Sequence, residues 1–488
     1  MATLTVWKNS VRSDVEFHPP QFLDQLLNEQ GHLSDHPCGG RGICGKCKIS
    51  IRDHVSGSTS AGRDSEDYLR CQAVLLGDAE VWLPEDRGLT DTKASQLAAN
   101  MRPASMGAAV DIGTTTIAAK LIDLDSGNCL AECMADNPQR SAAADVMGRI
   151  HAALTGSGNM LQQQILTGLE CILSDTCTQA GCRIDGIRHM TITGNTTMLD
   201  LLLGKCPRSL ATAPFYADDL FGREEILLNR KAWIPPCIDA FVGGDITAAV
   251  LASGMCRSGQ TTLLCDIGTN GELALWKDGT LYVTSTAAGP ALEGAQITCG
   301  CRSVPGAIDK VWQEDGVIRF HTIEDLPAVG ICGSGLIDAI AALLETEYID
   351  ETGAMVKDRL QIRETVSIYP KDIRNVQLAK AAIAAGIETL LEQASTNVDD
   401  IQSLYIAGNF GSHLDIGSAV RIGLIPRKLQ NRVVILGNAA LDGAAMMLQN
   451  KRLQAEAKRI AGCAVSVKLG GNPVFNEKFI ERMLFENR

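Results

Sequence analysis

The sequence predicts a multidomain chain of mixed class: an α+β unit in front, a linker, and a larger duplicated α/β unit behind. Three observations predict this. Residues 1–83 set short strand-like runs around one amphipathic helix. Residues 84–106 carry no sustained hydrophobic period. An Asp-Ile-Gly-Thr turn closes an apolar strand at Asp111 and does so again 155 residues later at Asp266. At 488 residues the chain exceeds one ordinary core, and two to four domains are expected.

In the front unit, "TLTVWKN" and "VRSDVEFH" alternate as strands and form a hairpin. "PPQFLDQLLNEQG" opens on proline and ends on Gly31. Phe22, Leu23, Leu26 and Leu27 are expected on one apolar helical face. "KISIRDHV" reads as a strand, "SEDYLRCQAVL" as a short helix leading into Cys71, and "AEVWLPED" as the last strand. That order is a β-grasp order. Between the helix and the third strand lies "DHPCGGRGICGKCKIS", and with Cys71 the spacing becomes C-x5-C-x2-C-x23-C. Thiolates of Cys38, Cys44, Cys47 and Cys71 converging on one point can hold a [2Fe–2S] cluster or a structural zinc. The glycines favour the cluster. Gly39, Gly40, Gly42 and Gly45 let one loop supply three ligands and turn N–H groups toward negative sulfides. Zinc knuckles instead pair two tight C-x2-C turns. The loop resembles that of plant- and vertebrate-type ferredoxins, with one extra residue between the first two cysteines.

Residues 84–106, rich in small and polar side chains, read as the linker. Behind it, residues 107–488 split at about residue 262 into two lobes. "AAVDIGTTTIAAKLIDLDSG" and "LLCDIGTNGELALWKDG" are both strand, tight turn, strand. A repeat of this kind implies duplicated units with a cleft between them. Gly113 and Gly268 let each turn approach a phosphate, with Gly271 ending the second turn. Thr114, Thr115, Thr116, Thr269 and Asn270 offer donors, and Asp111 and Asp266 can hold Mg²⁺ through its waters.

The paired turns resemble the two phosphate loops of the acetate and sugar kinase, Hsp70 and actin superfamily. Other pieces follow in that superfamily's order: "MTITGNTTMLDLLLG", "FVGGDITAAVLASG", "SLYIAGNFGSHLD" and "LGNAALDGAAMML". The resemblance implies an adenosine loop at Gly408, Asn409 and Gly411, closed by the last of these segments. It also implies a catalytic role for Asp245, orienting the nucleophile across the cleft from Asp111. As a carboxylate at a helix start, Asp245 has a second reading, as an N-cap. Lys120 and Lys205 are within range of a phosphate or are simply solvated. "GPALEGAQITCGCRSVPGAID" and "GICGSGLIDAIAALL" read as glycine-rich helix openings, either phosphate-binding or tight turns. Cys299, Cys301 and Cys332 do not complete a four-ligand metal set.

Composition narrows the function. Net charge is −13, which argues against nucleic acid or an anionic membrane as the main partner. No apolar run is long enough to span a bilayer, and the N-terminus reads as a strand and not as a signal peptide. Seventeen cysteines without an export signal fit a reducing cytoplasm, such as that of an anaerobe, and those outside the front unit read as reduced, buried, small hydrophobes.

A ferredoxin-like unit tethered to an ATPase suggests electron transfer that is uphill from a donor near roughly −400 mV. Nucleotide would then select the conformation that permits transfer. As a whole the chain resembles the reductive activators of corrinoid proteins. That resemblance implies ATP, Mg²⁺ and a [2Fe–2S] cluster as cofactors, and a corrinoid protein of a methyltransferase system as partner. It further implies that inactive Co(II) is returned to Co(I), that an upstream donor supplies the electron, and that a homodimer is admissible. Longer members carry a further domain between linker and ATPase, for which no room is expected here between Met106 and Val110. Two rival readings remain open: an ATP-gated donor to another low-potential enzyme such as a radical dehydratase, and a redox-regulated small-molecule kinase or ATPase.

Overall fold

The computed structural model describes residues 1–8, 11–30, 48–52, 55–56, 67–70, 73–83, 105–363, 365–408 and 410–485. Cys38, Cys44, Cys47, Cys71, Asn409 and the linker up to residue 104 lie outside the described residues.

The front unit builds a five-stranded sheet in the spatial order Val11–Phe17, Ala2–Lys8, Ala79–Trp82, Lys48–Arg52, Asp67–Leu69. The first hairpin pairs Ala2 with Phe17 and Lys8 with Val11. Strand Ala2–Lys8 then runs parallel to Ala79–Trp82, which makes the sheet mixed, in the β-grasp arrangement. Leu4, Val6, Ile49, Ile51 and Val81 point from it into a core closed by Leu23, Leu26 and Leu27. Two expectations need correction. The helix begins only at Leu23, because Gln21–Phe22 pairs as a short strand with Val74–Leu75; Phe22 is 57% exposed and off the apolar face. Residues Asp67–Leu69 are a strand paired with Lys48–Ser50, where a short helix was expected.

From Met106 onward two six-stranded sheets repeat one plan. In the first sheet, Met106–Ile112, Thr116–Asp123 and Cys129–Asp136 are successive antiparallel neighbours. Ile187–Gly194 joins Met106–Ile112 in parallel, followed by Arg230–Pro236 and Phe221–Leu227. In the second, Thr262–Ile267, Gly271–Lys277 and Thr280–Thr286 are antiparallel. Ser403–Ala407 joins Thr262–Ile267 in parallel, then Val433–Gly437. In both copies the Asp-Ile-Gly-Thr strand is central, so its turn emerges at the carboxyl end beside a parallel neighbour. That is where open α/β sheets bind ligands. Helix Gly158–Gln179 covers the first sheet with Leu161, Ile165, Leu169 and Ile172. Helices Gly333–Glu345 and Pro370–Gln393 build the core of the second.

Helices Gly244–Ser253 and Ala439–Gln449 lie between the lobes and share a core with Trp233, Leu264 and Ala407. They approach so closely that a Cβ on Gly443 would stand 2.0 Å from the carbonyl oxygen of Ala248. Leu441, Ala444 and Ala445 of the second helix also pack on Ala109, Ala118 and Ile122 of the first sheet. The small residues of "NAALDGAA" thus buy backbone contact between the halves. Segment Phe241–Val242 is not a regular strand; it makes only an isolated bridge, Asp239 to Val242. Around residue 290 a single 3₁₀ turn, Pro290–Glu293, stands where a helix opening was expected, whereas Gly333–Glu345 does open a helix. Among the described residues, no helix is long and apolar enough to cross a membrane.

Candidate functional site

The two turns close differently. In the first, the N–H of Gly113 donates to the carbonyl of Thr116 at 2.9 Å, and Ile112 pairs with Ile117. In the second, Gly268 donates to the carbonyl of Asn270 at 3.0 Å, and Ile267 pairs with Gly271. The second turn is one residue shorter. Asp111 therefore lies opposite Ala118, but Asp266 lies opposite Glu272. Directly opposed residues share a face, and like charges there repel. Thr116 and Asn270 close the turns through their carbonyls. Gly271 backs onto Thr286 and Ile383 inside the lobe: an added Cβ would lie 2.7 Å from the Thr286 hydroxyl oxygen.

Asp111, Asp266 and Asp245 come from three segments into one electrostatic cluster. Burial, then the neighbouring Asp266, raises the Asp111 carboxyl from 3.8 to about 7. Burial and Asp111 raise Asp245 to about 7, and burial and Asp245 raise Asp266 to about 7. Glu272 is pushed well above its ordinary value by burial, then by Asp245 and Asp266. Such mutual repulsion is the environment a divalent cation relieves. Asp245 is the second residue of helix Gly244–Ser253, and Gly243 holds the N-cap position. Its Oδ1 accepts from the Ile246 N–H at 2.8 Å. Gly243 is required there, since a Cβ would meet the Cα of Asn195 at 2.4 Å and Oδ1 of Asp245 at 2.7 Å.

Asparagines at two helix starts hold the cluster's surroundings. Asn195 caps Thr196–Leu202 through Oδ1 and donates Nδ2 to the Thr114 hydroxyl at 3.2 Å. Asn438 caps Ala439–Gln449 and donates Nδ2 to Asp111 at 3.3 Å. Behind the first turn, Arg149 is fully buried. It donates to the carbonyl of Thr114, to that of Ala143 at 3.1 Å and to Oε1 of Gln139 at 3.3 Å. Among the described residues no carboxylate pairs with it, and burial lowers it to about 9. Glu293 links the two turns: its Oε2 accepts from the hydroxyls of Thr115 and Thr269, each at 3.0 Å.

The segment expected at the adenosine comes close to the cluster. Gly408 has φ +89° and donates its N–H to the carbonyl of Gly437 at 3.0 Å; a Cβ would lie 2.8 Å from Oδ1 of Asp266. Gly411 packs on Ile406, and the Phe410 ring lies against Gly333 at the start of helix Gly333–Glu345. Lys120 and Lys205 are held in ion pairs and not turned to the cluster, and Lys205 stays partly exposed. Lys120 pairs with Asp442 and with Glu132 at 3.4 Å, and Lys205 pairs with Asp219.

The thirteen described cysteines are free, but only Cys177, Cys237, Cys256, Cys265 and Cys332 are buried. The expectation of uniformly buried thiols is corrected to that extent. Cys299, Cys301 and Cys332 flank one β-bridge, Gly300 to Ile331, and no described group of three or more ligating side chains can hold a metal.

Sequence reasoning missed Glu272, Glu293, Arg149, Asn195 and Asn438. Aligning the two turns residue by residue would have exposed Glu272. Asn195 and Asn438 stood before helices in quoted segments. Glu293 and Arg149 carried no local signal.

Residues 260–488 match the family model described as the C-terminal domain of RACo, the ASKHA domain, and residues 106–258 match the RACo middle region. A middle region is therefore present in the half read from sequence as the first lobe, where none had been expected to fit. Over 417 residues the chain is 34% identical to the corrinoid activation enzyme RamQ of Eubacterium limosum, covering 78% of this chain and 70% of that protein. It is 26% identical over 388 residues to a [Co(II) methylated amine-specific corrinoid protein] reductase of Methanosarcina barkeri, covering 71% of each. Among solved structures, a reductive activator for corrinoid, iron–sulfur protein superposes with TM-score 0.73 at 25% identity, covering 99% of this chain and 98% of that one.

Proposed function

The chain belongs to the reductive activators of corrinoid proteins, and from that premise we propose that it performs ATP-dependent reduction of a corrinoid protein of a methyltransferase system. Cys38, Cys44, Cys47 and Cys71 would hold a [2Fe–2S] cluster, which would supply the one electron that takes the corrinoid's cobalt from Co(II) to Co(I), with an upstream donor as the source of that electron. Residues 1–83 form the electron-carrying domain, 84–106 a linker, and 107–488 the two-lobed ATPase that gates the transfer. The observation that carries this reading is the convergence of Asp111, Asp245 and Asp266 between two glycine turns.

The residues present fit MgATP. The clustered carboxylates complement a divalent cation, and the Thr115 and Thr269 hydroxyls, which already donate to one anionic oxygen, complement phosphate. When bound, the cluster supplies a low-potential electron, and Mg²⁺ offsets phosphate charge. Asp111 and Asp266 hold the cation's waters. Asp245 orients the attacking water, and its raised carboxyl suits proton acceptance near neutrality. Thr114, Thr115 and Thr269 donate to phosphate oxygens, and Gly408, Asn409 and Gly411 border the adenosine. Arg149 fixes the Thr114 carbonyl and brings a buried positive charge behind the first turn.

The test is spectroscopic. Reduced full-length protein should show the EPR signal of a one-electron-reduced two-iron cluster. That signal should disappear when MgATP and a Co(II) corrinoid protein are added together, and persist when either is omitted. Loss of the signal without ATP would refute the gating. A colourless protein holding zinc would refute the electron transfer.

A further inference from the structure

We propose that Glu293 is a resident stand-in for the terminal phosphate of ATP. It holds the two phosphate turns together in the nucleotide-free chain and is exchanged for the γ-phosphate when MgATP binds. The inference rests on the reading of the cleft as a MgATP site and assigns a specificity-determining residue within it.

One carboxylate oxygen, Oε2, receives both hydroxyls: Thr115 from the first turn and Thr269 from the second, each at 3.0 Å. The other oxygen, Oε1, lies 3.5 Å from where a Cβ on Gly268 would stand. The carboxylate therefore occupies the donors of both turns at once, as a phosphate oxygen placed between them would. Carboxylate and phosphate are both anionic acceptors, so they compete for the same hydrogens and repel each other.

The backbone delivers Glu293 to this place. Turn Pro290–Glu293 runs between Gly289 at φ +77° and Gly294 at φ +74°. A Cβ on Gly294 would come within 2.2 Å of the Cys301 carbonyl oxygen, and one on Gly333 within 1.7 Å of that of Leu292. The main chain is thus pinned on both sides, and the side chain is the part free to swing. A second interlobe link, Arg302 with Asp136, joins the same two halves. ADP lacks the γ-phosphate and leaves the Glu293 bridge in place, whereas ATP must displace it. Glu293 consequently sets the ratio of ATP to ADP affinity.

The experiment measures Mg²⁺-dependent binding of ATP and ADP to the full-length wild type, to Glu293→Gln and to Glu293→Ala, with thermal midpoints as a fold control. Both variants are expected to bind ATP about tenfold more tightly, the order expected when one like-charge contact is removed. ADP affinity should stay within about twofold of wild type. An unchanged ATP-to-ADP ratio in both variants, with normal wild-type binding, overturns the role of Glu293 alone. Weakened ATP binding in both overturns it as well and makes Glu293 a ligand of the nucleotide or its cation. Failure of the wild type to bind either nucleotide overturns the reading of the cleft, and this inference with it.

Discussion

Replacing Asp245 by asparagine should make the nucleotide-free protein more stable while destroying its function. The side chain keeps its shape, and an asparagine Oδ1 can still accept from Ile246. What disappears is a carboxylate whose value rises from 3.8 to about 7 through burial and the nearness of Asp111. That rise corresponds to about 4 kcal/mol of added cost to ionise. Asp245 is only half-buried, so solvent screens part of it, leaving about 2 kcal/mol. A carboxyl whose folded-state value exceeds its unfolded one favours the fold while protonated. That contribution is complete below about pH 4 and is lost as pH rises through 7. The gain from Asp245→Asn should therefore be small near about pH 5 and full near about pH 8, worth about 4 °C in thermal midpoint for a unit of this size. Neighbours add to it, since Asp245 also raises Asp266 and Glu272. The assay is thermal unfolding of the nucleotide- and Mg²⁺-free protein across that range. A variant no more stable at high pH, or equally destabilised at both ends, would refute the reasoning.

Other outcomes follow from the same geometry. Gly408→Ala puts a Cβ at φ +89° and 2.8 Å from Asp266, so it should cost about 1–3 kcal/mol of stability and weaken nucleotide binding, as calorimetry would show. Arg149→Met leaves the Thr114 carbonyl without its donor; a loss of about 1–3 kcal/mol and about tenfold weaker ATP binding are expected, by denaturant titration and equilibrium binding. Cys71→Ser should abolish the visible absorption of the cluster yet leave MgATP binding unchanged. A coloured Cys71→Ser protein would remove that cysteine from the ligand set.

Much of the fold could be read from sequence because the repeat is local. Each Asp-Ile-Gly-Thr turn carries its own strand pair, and alternation marks those strands whatever lies around them. The site was only half readable. Asp111, Asp245 and Asp266 stand at element ends, where glycine neighbours announce close approach. Glu272 escaped because its meaning depends on register: one residue fewer in the second turn moves it opposite Asp266. Glu293 and Arg149 escaped because the contacts that tie them to the first turn are remote in sequence, with Thr115 lying 178 residues from Glu293 and Thr114 lying 35 from Arg149. Phe22 was misassigned because helical spacing alone does not reveal that Gln21–Phe22 is claimed by a short sheet.

The central claim is that nucleotide in the two-lobed cleft licenses an electron to leave the front unit for cobalt. The most direct measurement mixes reduced protein, MgATP and a Co(II) corrinoid protein under anaerobic conditions and follows the absorbance of Co(I). Co(I) should accumulate only with MgATP. With Asp245→Ala it should fail to accumulate although that variant still binds ATP. Equal Co(I) formation without nucleotide, or undiminished formation with Asp245→Ala, would contradict the account.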